Sequence, residues 1–400
     1  MNATNATEVA ARIVATRGRW AVAAAFFING FVTGSWAPQI PLLLTRLDIS
    51  EFVLGLLILV FGLGALTAMP FSGYLMTKRG SRPVVIGFAW VVVFALLLVA
   101  LAPNVWLAAL TMFVFGGSIG AMDVAMNANA VAVEKKLSRA IMSSSHGFWS
   151  LGGFVGGALG GILIQYFGHL PHAMFVTVTA AVMTAFALRH LVGEDRPVTH
   201  EHRHFRLPRL PTIYLVGIMA LFSMIPEGAV LDWAALYLKQ ELGADIATAG
   251  FAFAAFSGIM ALMRFLGDGV RNRFGAVNTL RFSALLAASG MLAAGLAPNP
   301  WVAIAAFAMC GLGVANMVPI AFSAAGNQPG IAPNIGMSVV TTMGYSGILV
   351  APSAIGFVAG HTGFAPIFVT LSGFLVVVSL MAGLARHADF RAMPQATPAE

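Results

Sequence analysis

Long apolar runs separated by short polar breaks dominate this chain. They occupy roughly 20–44, 52–76, 83–102, 105–132, 141–167, 172–192, 212–238, 246–268, 277–297, 301–325, 336–360 and 364–385. Each is long enough to cross a hydrocarbon layer as a helix of about 20 residues. The pattern predicts an all-α integral membrane protein of twelve spans. The longest polar stretch, 193–211, splits the spans evenly. It predicts a six-span bundle at 1–192, a linker, a second bundle at 212–386 and a tail at 387–400.

A repeat supports that division. Leu101-Ala-Pro-Asn-Val-Trp106 returns as Leu296-Ala-Pro-Asn-Pro-Trp301, an offset of 195, and the same offset carries Lys78 to Arg273, Gly80 to Gly275 and Gly116 to Gly311. An offset holding an even number of spans gives two halves of the same orientation.

Composition agrees: 59% of the residues are hydrophobic and only 9% charged, against about 25% charged in a soluble domain. The net charge of +7 suggests nucleic acid until the basic residues are sorted by loop. All but Arg46 and Lys239 of the 22 Lys and Arg fall on the N-terminal side, with Arg264 and Arg281 counted there as near helix ends. The positive-inside rule then places both termini in the cytoplasm of a bacterial inner membrane. No nucleic-acid partner is expected; lipid, a small-molecule substrate and protons are, with the chain a monomer. Cys310 is alone, so no intramolecular disulfide exists. His200-Glu-His-Arg-His204 in the linker is the one metal-like cluster, and alternating histidines in such a loop are expected to stay solvated. No cofactor and no metal are expected.

Ionisable residues inside spans are the candidate chemistry, because charge in hydrocarbon is costly and marks pathways. Asp123 and Asn127 are four apart on one helical face. His146, in the next span, lies at matched depth, about 10 Å from the shared loop. Glu227 follows Pro226 well inside the seventh span; Asp232, beside Trp233, reads equally as an anchor near the other face. Asp123, Glu227 and His146 are the proton-coupling candidates. Asn29, Trp36, Asn127, Trp149, Asn316 and Tyr345 offer aromatic faces and hydrogen bonds for a cavity. Asn29, Thr33, Trp36 and Gln39 form one stripe on the first span, read equally as interhelical bonding or cavity lining. Pro319 would let the tenth span bend near Asn316.

Gly73-Tyr-Leu-Met-Thr-Lys-Arg-Gly-Ser-Arg82 and the twelve-span repeat resemble the major facilitator superfamily, over nearly the whole chain. Gly73, Leu75, Lys78, Gly80 and Arg82 fit the superfamily's loop signature; Thr77 stands where an Asp is usual. The resemblance implies a gate loop of Gly73, Lys78, Gly80 and Arg82, echoed by Arg264 and Asp268, a possible i,i+4 pair. Gly120-Ala-Met-Asp-Val-Ala-Met-Asn127 is similar to the fourth helix of fucose/proton symporters. With Trp36-Ala-Pro38, Glu227-Gly-Ala-Val-Leu-Asp-Trp233 and Pro319-Ile-Ala-Phe-Ser-Ala-Ala-Gly326, it resembles a bacterial subfamily that includes rhizopine transport proteins. The resemblance implies alternating access and proton-coupled symport of a small polar solute: a sugar, polyol or amino-polyol. Proton-coupled export of drugs or metabolites is the alternative, disfavoured because the fifth span lacks the antiporters' Gly-Pro. An enzyme is not expected: no His-Glu-x-x-His or Gly-x-Ser-x-Gly occurs.

Overall fold

The structure, a computed structural model, describes residues 3–137, 141–193, 210–331 and 333–388. Among them are twelve helical segments long and apolar enough to span a membrane. The elements are α1 (Ala3–Trp36), α2 (Ile40–Leu47), α3 (Glu51–Arg79), α4 (Ser81–Leu101), α5 (Val105–Leu137), α6 (Met142–Phe167) and α7 (His169–Ala187). They continue with α8 (Pro211–Gln240), α9 (Ile246–Phe274), α10 (Ala276–Gly295), α11 (Pro300–Val314), α12 (Met317–Gly326), α13 (Pro333–Thr362) and α14 (Ala365–Met381). The linker histidines lie outside the described residues.

Two spans are broken, each where proline withholds a backbone donor. The first span passes from α1 to α2 through a 3-10 turn, Ala37–Gln39, with Pro38 inside it and Pro41 just after. The tenth, expected as one bent helix over 301–325, is two helices. It interrupts at Ala315–Asn316, and Pro319 has no N–H for the Ala315 carbonyl.

The 195-residue repeat is written into the turns. Asp48 and Gly243 are both left-handed, at φ 50° and 67°. Gly80 and Gly275 match at 75° and 76°, and Gly168 and Gly363 at 88° and 79°. A side chain is strained at such angles, so glycine fills five of the six positions. Caps repeat as well: Ser50 Oγ accepts from Val53 N–H at 3.3 Å and Asp245 Oδ1 from Thr248 N–H at 2.7 Å. Asn104 and Asn299 cap α5 and α11 in the same way, at 3.0 and 3.1 Å. Gly116 lies against the Phe61 carbonyl and Gly311 against that of Phe256, each so close that a Cβ would overlap it. Even where the residue changes, the role holds. Arg46 donates to the Val99 and Ala100 carbonyls at the C-terminus of α4. Glu241, its counterpart, accepts from the Phe364 and Ala365 N–H groups at the N-terminus of α14. A cation at one helix end and an anion at the other both oppose the helix dipole.

An even number of spans puts both chain ends at one face, here called the terminal face. At the opposite face the first six spans meet the last six along two seams, α6 with α9 and α3 with α13. Gly157 and Gly161 pack on Gly250 and Ala247, and Gln165 Oε1 accepts from Ala247 N–H at 2.9 Å. In the other seam Gly55 meets Pro352 and Ser353, whose Oγ donates to the Gly55 carbonyl at 3.2 Å. Gln240 donates to Glu51 at 3.0 Å across the same face. Toward the terminal face the seams part company. Gly147 of α6 is covered by Phe265 of α9. Gly73, five turns along α3 from Gly55 and so on the same stripe, faces open space. Around the outside, Trp106, Tyr166, Phe282 and Leu380 stand exposed, an apolar rim suited to lipid.

Candidate functional site

Asp123 and Asn127 sit one turn apart on α5, as their spacing predicts. The Asn127 amide donates to the Asp123 carbonyl at 2.9 Å and to its carboxyl oxygen Oδ1 at 3.3 Å. His146 of α6 meets Asn127, not the acid: Nε2 lies 3.2 Å from Asn127 Oδ1. With the amide nitrogen turned to Asp123, Asn127 presents an acceptor to the ring, so Nε2 carries the donated proton. The Phe26 ring packs edge-on to His146 at 5.0 Å. Asn127 therefore stands between the two titratable groups and hydrogen-bonds to both.

Beside this group, Trp149 Nε1 donates to Asn29 Oδ1 at 2.9 Å, and the Asn29 amide donates to the Ile119 carbonyl at 3.2 Å. These bonds knit α1, α5 and α6 together. The stripe on α1 therefore serves interhelical bonding at Asn29, and Gln39 donates to the His169 carbonyl and to His172 on α7, each at 2.9 Å. Trp36, two turns beyond Asn29, is buried against Phe115 and lies near the Asp232 carboxyl. Asp232 and Trp233 are themselves buried, so this pair is no interfacial anchor.

From the last six spans come Glu227 and a residue the sequence had misplaced. Arg264, counted among basic residues near the terminal face, lies ten residues inside the end of α9 and points into the interior. Its Nη2 reaches Glu227 Oε1 at 3.5 Å and its Nη1 donates to Ser150 Oγ on α6 at 2.6 Å. Depth explains the error: loop-counting assigns charge by proximity in sequence, whereas a partnered Arg is held inside by its acid. The expected partner, Asp268, has a side chain outside the described residues. Tyr345 of α13 is within electrostatic range of both Asp123 and Glu227, and Arg264 within that of His146. Asp123, His146, Glu227, Arg264 and Tyr345 thus converge from five helices. Ser150 completes the set; no feature of the sequence distinguishes it from the other small polar residues of its span.

Asn316 stands at the break in the tenth span. It is 8% exposed, its Oδ1 against Gly267 and its Nδ2 without a hydrogen-bond partner among the described residues. At the terminal face Gly80 makes the turn after α3, Lys78 lies over the Tyr74 ring at 4.5 Å, and Arg82 donates to the Arg189 carbonyl at 3.0 Å. Among the described residues, no three His, Cys, Asp or Glu side chains cluster to hold a metal.

The Major Facilitator Superfamily model matches the chain over residues 22–330 and 216–400. An uncharacterised MFS-type transporter of Yersinia pestis is 35% identical over 360 residues, 90% of this chain and 93% of that protein. Membrane protein MosC of Rhizobium meliloti is 33% identical over 369 residues, covering 89% of this chain and 88% of its own length. Among solved structures, the fucose:proton symporter FucP of E. coli superposes with a TM-score of 0.62 at 18% identity, over 91% of this chain and 97% of that one. At that identity the likeness speaks to fold. Family and relatives are transporters rather than enzymes. The chain is a multi-pass membrane transporter, and it belongs to the major facilitator superfamily.

Proposed function

We propose that this transporter carries a small polar solute, a sugar, polyol or amino-polyol, together with protons. It does so by alternating access between bundles 1–192 and 212–386, joined by the 193–211 linker. The observation that carries the reading is the setting of Asp123. Among the described residues its side-chain partner is the neutral Asn127 amide. A carboxylate in an apolar bundle is costly when charged and unpaired by a cation. Taking up a proton removes that cost, and release follows when water reaches the site. Asn127 suits both forms, since an amide donates to the ionised acid and accepts from the neutral one. Glu227 is differently placed, because Arg264 already balances its charge. That contrast favours Asp123 as the coupling acid over Glu227.

The polar and aromatic side chains near Asp123 support a hydroxyl-bearing solute: Trp149, Asn127, His146 and Tyr345 supply stacking faces, donors and acceptors. The similarity of the fold to a fucose:proton symporter supports the same class. Basic residues of the terminal face, Arg264 now excluded, still outnumber those opposite, which supports cytoplasmic termini and a bacterial inner membrane. On that orientation, the seams packed at the opposite face support an inward-facing state.

The reading is tested in proteoliposomes carrying an internal pH dye. Pentoses, hexoses, inositols and amino-inositols are offered singly without a membrane potential. A transported solute is expected to carry protons with it and to accumulate when a proton gradient is imposed. Solute entry with no accompanying proton flux and no response to the gradient would overturn the coupling.

A further inference from the structure

The α6–α9 seam is made of small residues along most of its length. Gly161 meets Ala247, Gly157 meets Gly250 and Ala254, and Gly153 meets Phe253 and Ser257. Such a seam brings backbones close and lets them separate again, because it holds few directional bonds. At Ser150 the character changes. Its carbonyl accepts from Ser257 Oγ at 2.7 Å and its hydroxyl from Arg264 Nη1 at 2.6 Å. The second bond is charge-assisted, and short ones of that kind are about twice as strong as neutral ones. Arg264 is itself steadied by Glu227 of α8, from its own half. Three residues thus form a chain across the interface: Glu227 orients Arg264, and Arg264 holds Ser150.

The 195-residue repeat marks this chain as an addition. The counterparts of Arg264 and Ser150 are Met69 and Tyr345, on α3 and α13. The packing positions of the two seams do correspond, Gly250 to Gly55 and Gly157 to Pro352, so the surfaces are shared while the charge is not. The Met69 side chain reaches Gly120 of α5.

We propose that Arg264 is a positioning residue of the transport cycle, which ties α6 to α9 through Ser150 and biases the chain toward the state closed at the opposite face. The tie crosses the seam where its small-residue stretch ends, so α6 and α9 part along the whole of that stretch only when the tie lengthens or breaks. The inference rests on the transporter reading for its role in a cycle; the tie itself is read from the geometry.

The test uses the full chain in lipid nanodiscs with Cys310→Ser as background, and two single-cysteine reporters. Ala247→Cys reads the opposite end of the α6–α9 seam, and Gly73→Cys the terminal end of α3. Each is labelled with a polar maleimide, with no solute added. Ser150→Ala and Arg264→Gln are expected to speed labelling at position 247 about tenfold, the scale of one lost bond to a charged group, and to slow it at position 73. Arg264→Lys should recover most of the original rates, and the double variant should match either single. A merely structural role predicts something else: faster labelling at both reporters, additive variants and a lower melting temperature. That outcome, or unchanged rates at both reporters, would overturn the proposal. Because neither solute nor proton gradient is involved, its failure would leave the symport reading untouched.

Discussion

The two seams between the halves are built on one pattern and finished differently. At the opposite face they are equivalent: Gly250 lies on the Gly157 carbonyl, and Gly55, its counterpart, lies on that of Pro352. At Ser150, α6–α9 gains a guanidinium hydrogen bond, where the corresponding positions of α3 and α13 are Met69 and Tyr345. Nearer the terminal face Phe265 still covers Gly147, while Gly73 faces open space. Backbone surfaces common to both halves thus form the packed ends of the seams, and the side chains that differ lie further along them. The candidate chemistry obeys the same division. Asp123 corresponds to Val318, His146 to Thr341, Glu227 to Val32 and Arg264 to Met69. A symmetric scaffold carries an asymmetric site.

The hardest test of the shared part is to wedge it. Gly250→Leu and Gly55→Leu each push a side chain into a facing carbonyl, at 2.8 Å for a Cβ alone in both cases. Overpacking of about 1–3 kcal/mol in the closed state lowers its population by about one to two orders of magnitude. Transport should collapse in both variants, and equally. A strong loss in one with little in the other would show that the seams are not equivalent where they close.

A smaller effect should follow from moving the tie. Met69→Arg with Tyr345→Ser places the charged pair in the α3–α13 seam. Labelling of Gly73→Cys should fall by up to about tenfold as this seam gains the bond its counterpart has. Unchanged labelling would mean that the difference at the terminal face does not come from the Arg–Ser pair.

The least effect is expected at the matched caps. Ser50→Ala and Asp245→Ala should each cost about 1 kcal/mol in thermal unfolding. Only the second should depend on pH. The Thr248 backbone N–H and side chain hold the Asp245 carboxyl below its ordinary value. A depressed acid contributes its stability above its unfolded pKa and loses it as pH falls through the folded value. The gap between wild type and Asp245→Ala should therefore be full at neutral pH and shrink below about pH 4, while that for Ser50→Ala stays level.

These comparisons also show what the sequence could reveal. Spans, repeat and turns were legible because each is local. Apolar length makes a span, and the offset that links Asn104 to Asn299 also places the matching left-handed turns. The Asp123–Asn127 contact was legible for the same reason, one turn on one helix. Contacts across helices were not. Asp123 and His146 stand at matched depth, yet rotation places Asn127 between them. Trp36, on the stripe that begins at Asn29, is turned instead toward Asp232. Arg264 was misread because distance along the chain to a loop says nothing about a partner on another helix, and Ser150 has meaning only through Arg264. The break at Asn316 was half legible: Pro319 announced a bend, but the missing hydrogen bond falls at Ala315, one turn earlier.

The proposed coupling turns on Asp123 as the acid that carries the proton. The most direct measurement compares accumulation with exchange in proteoliposomes containing Asp123→Asn, using whichever solute the wild type transports. Exchange of solute across the membrane requires no net proton movement, whereas accumulation against a gradient does. The prediction is loss of proton-driven accumulation with exchange retained, and no proton flux accompanying solute. Accumulation at the wild-type level with its pH dependence intact would contradict the claim and move the proton to Glu227.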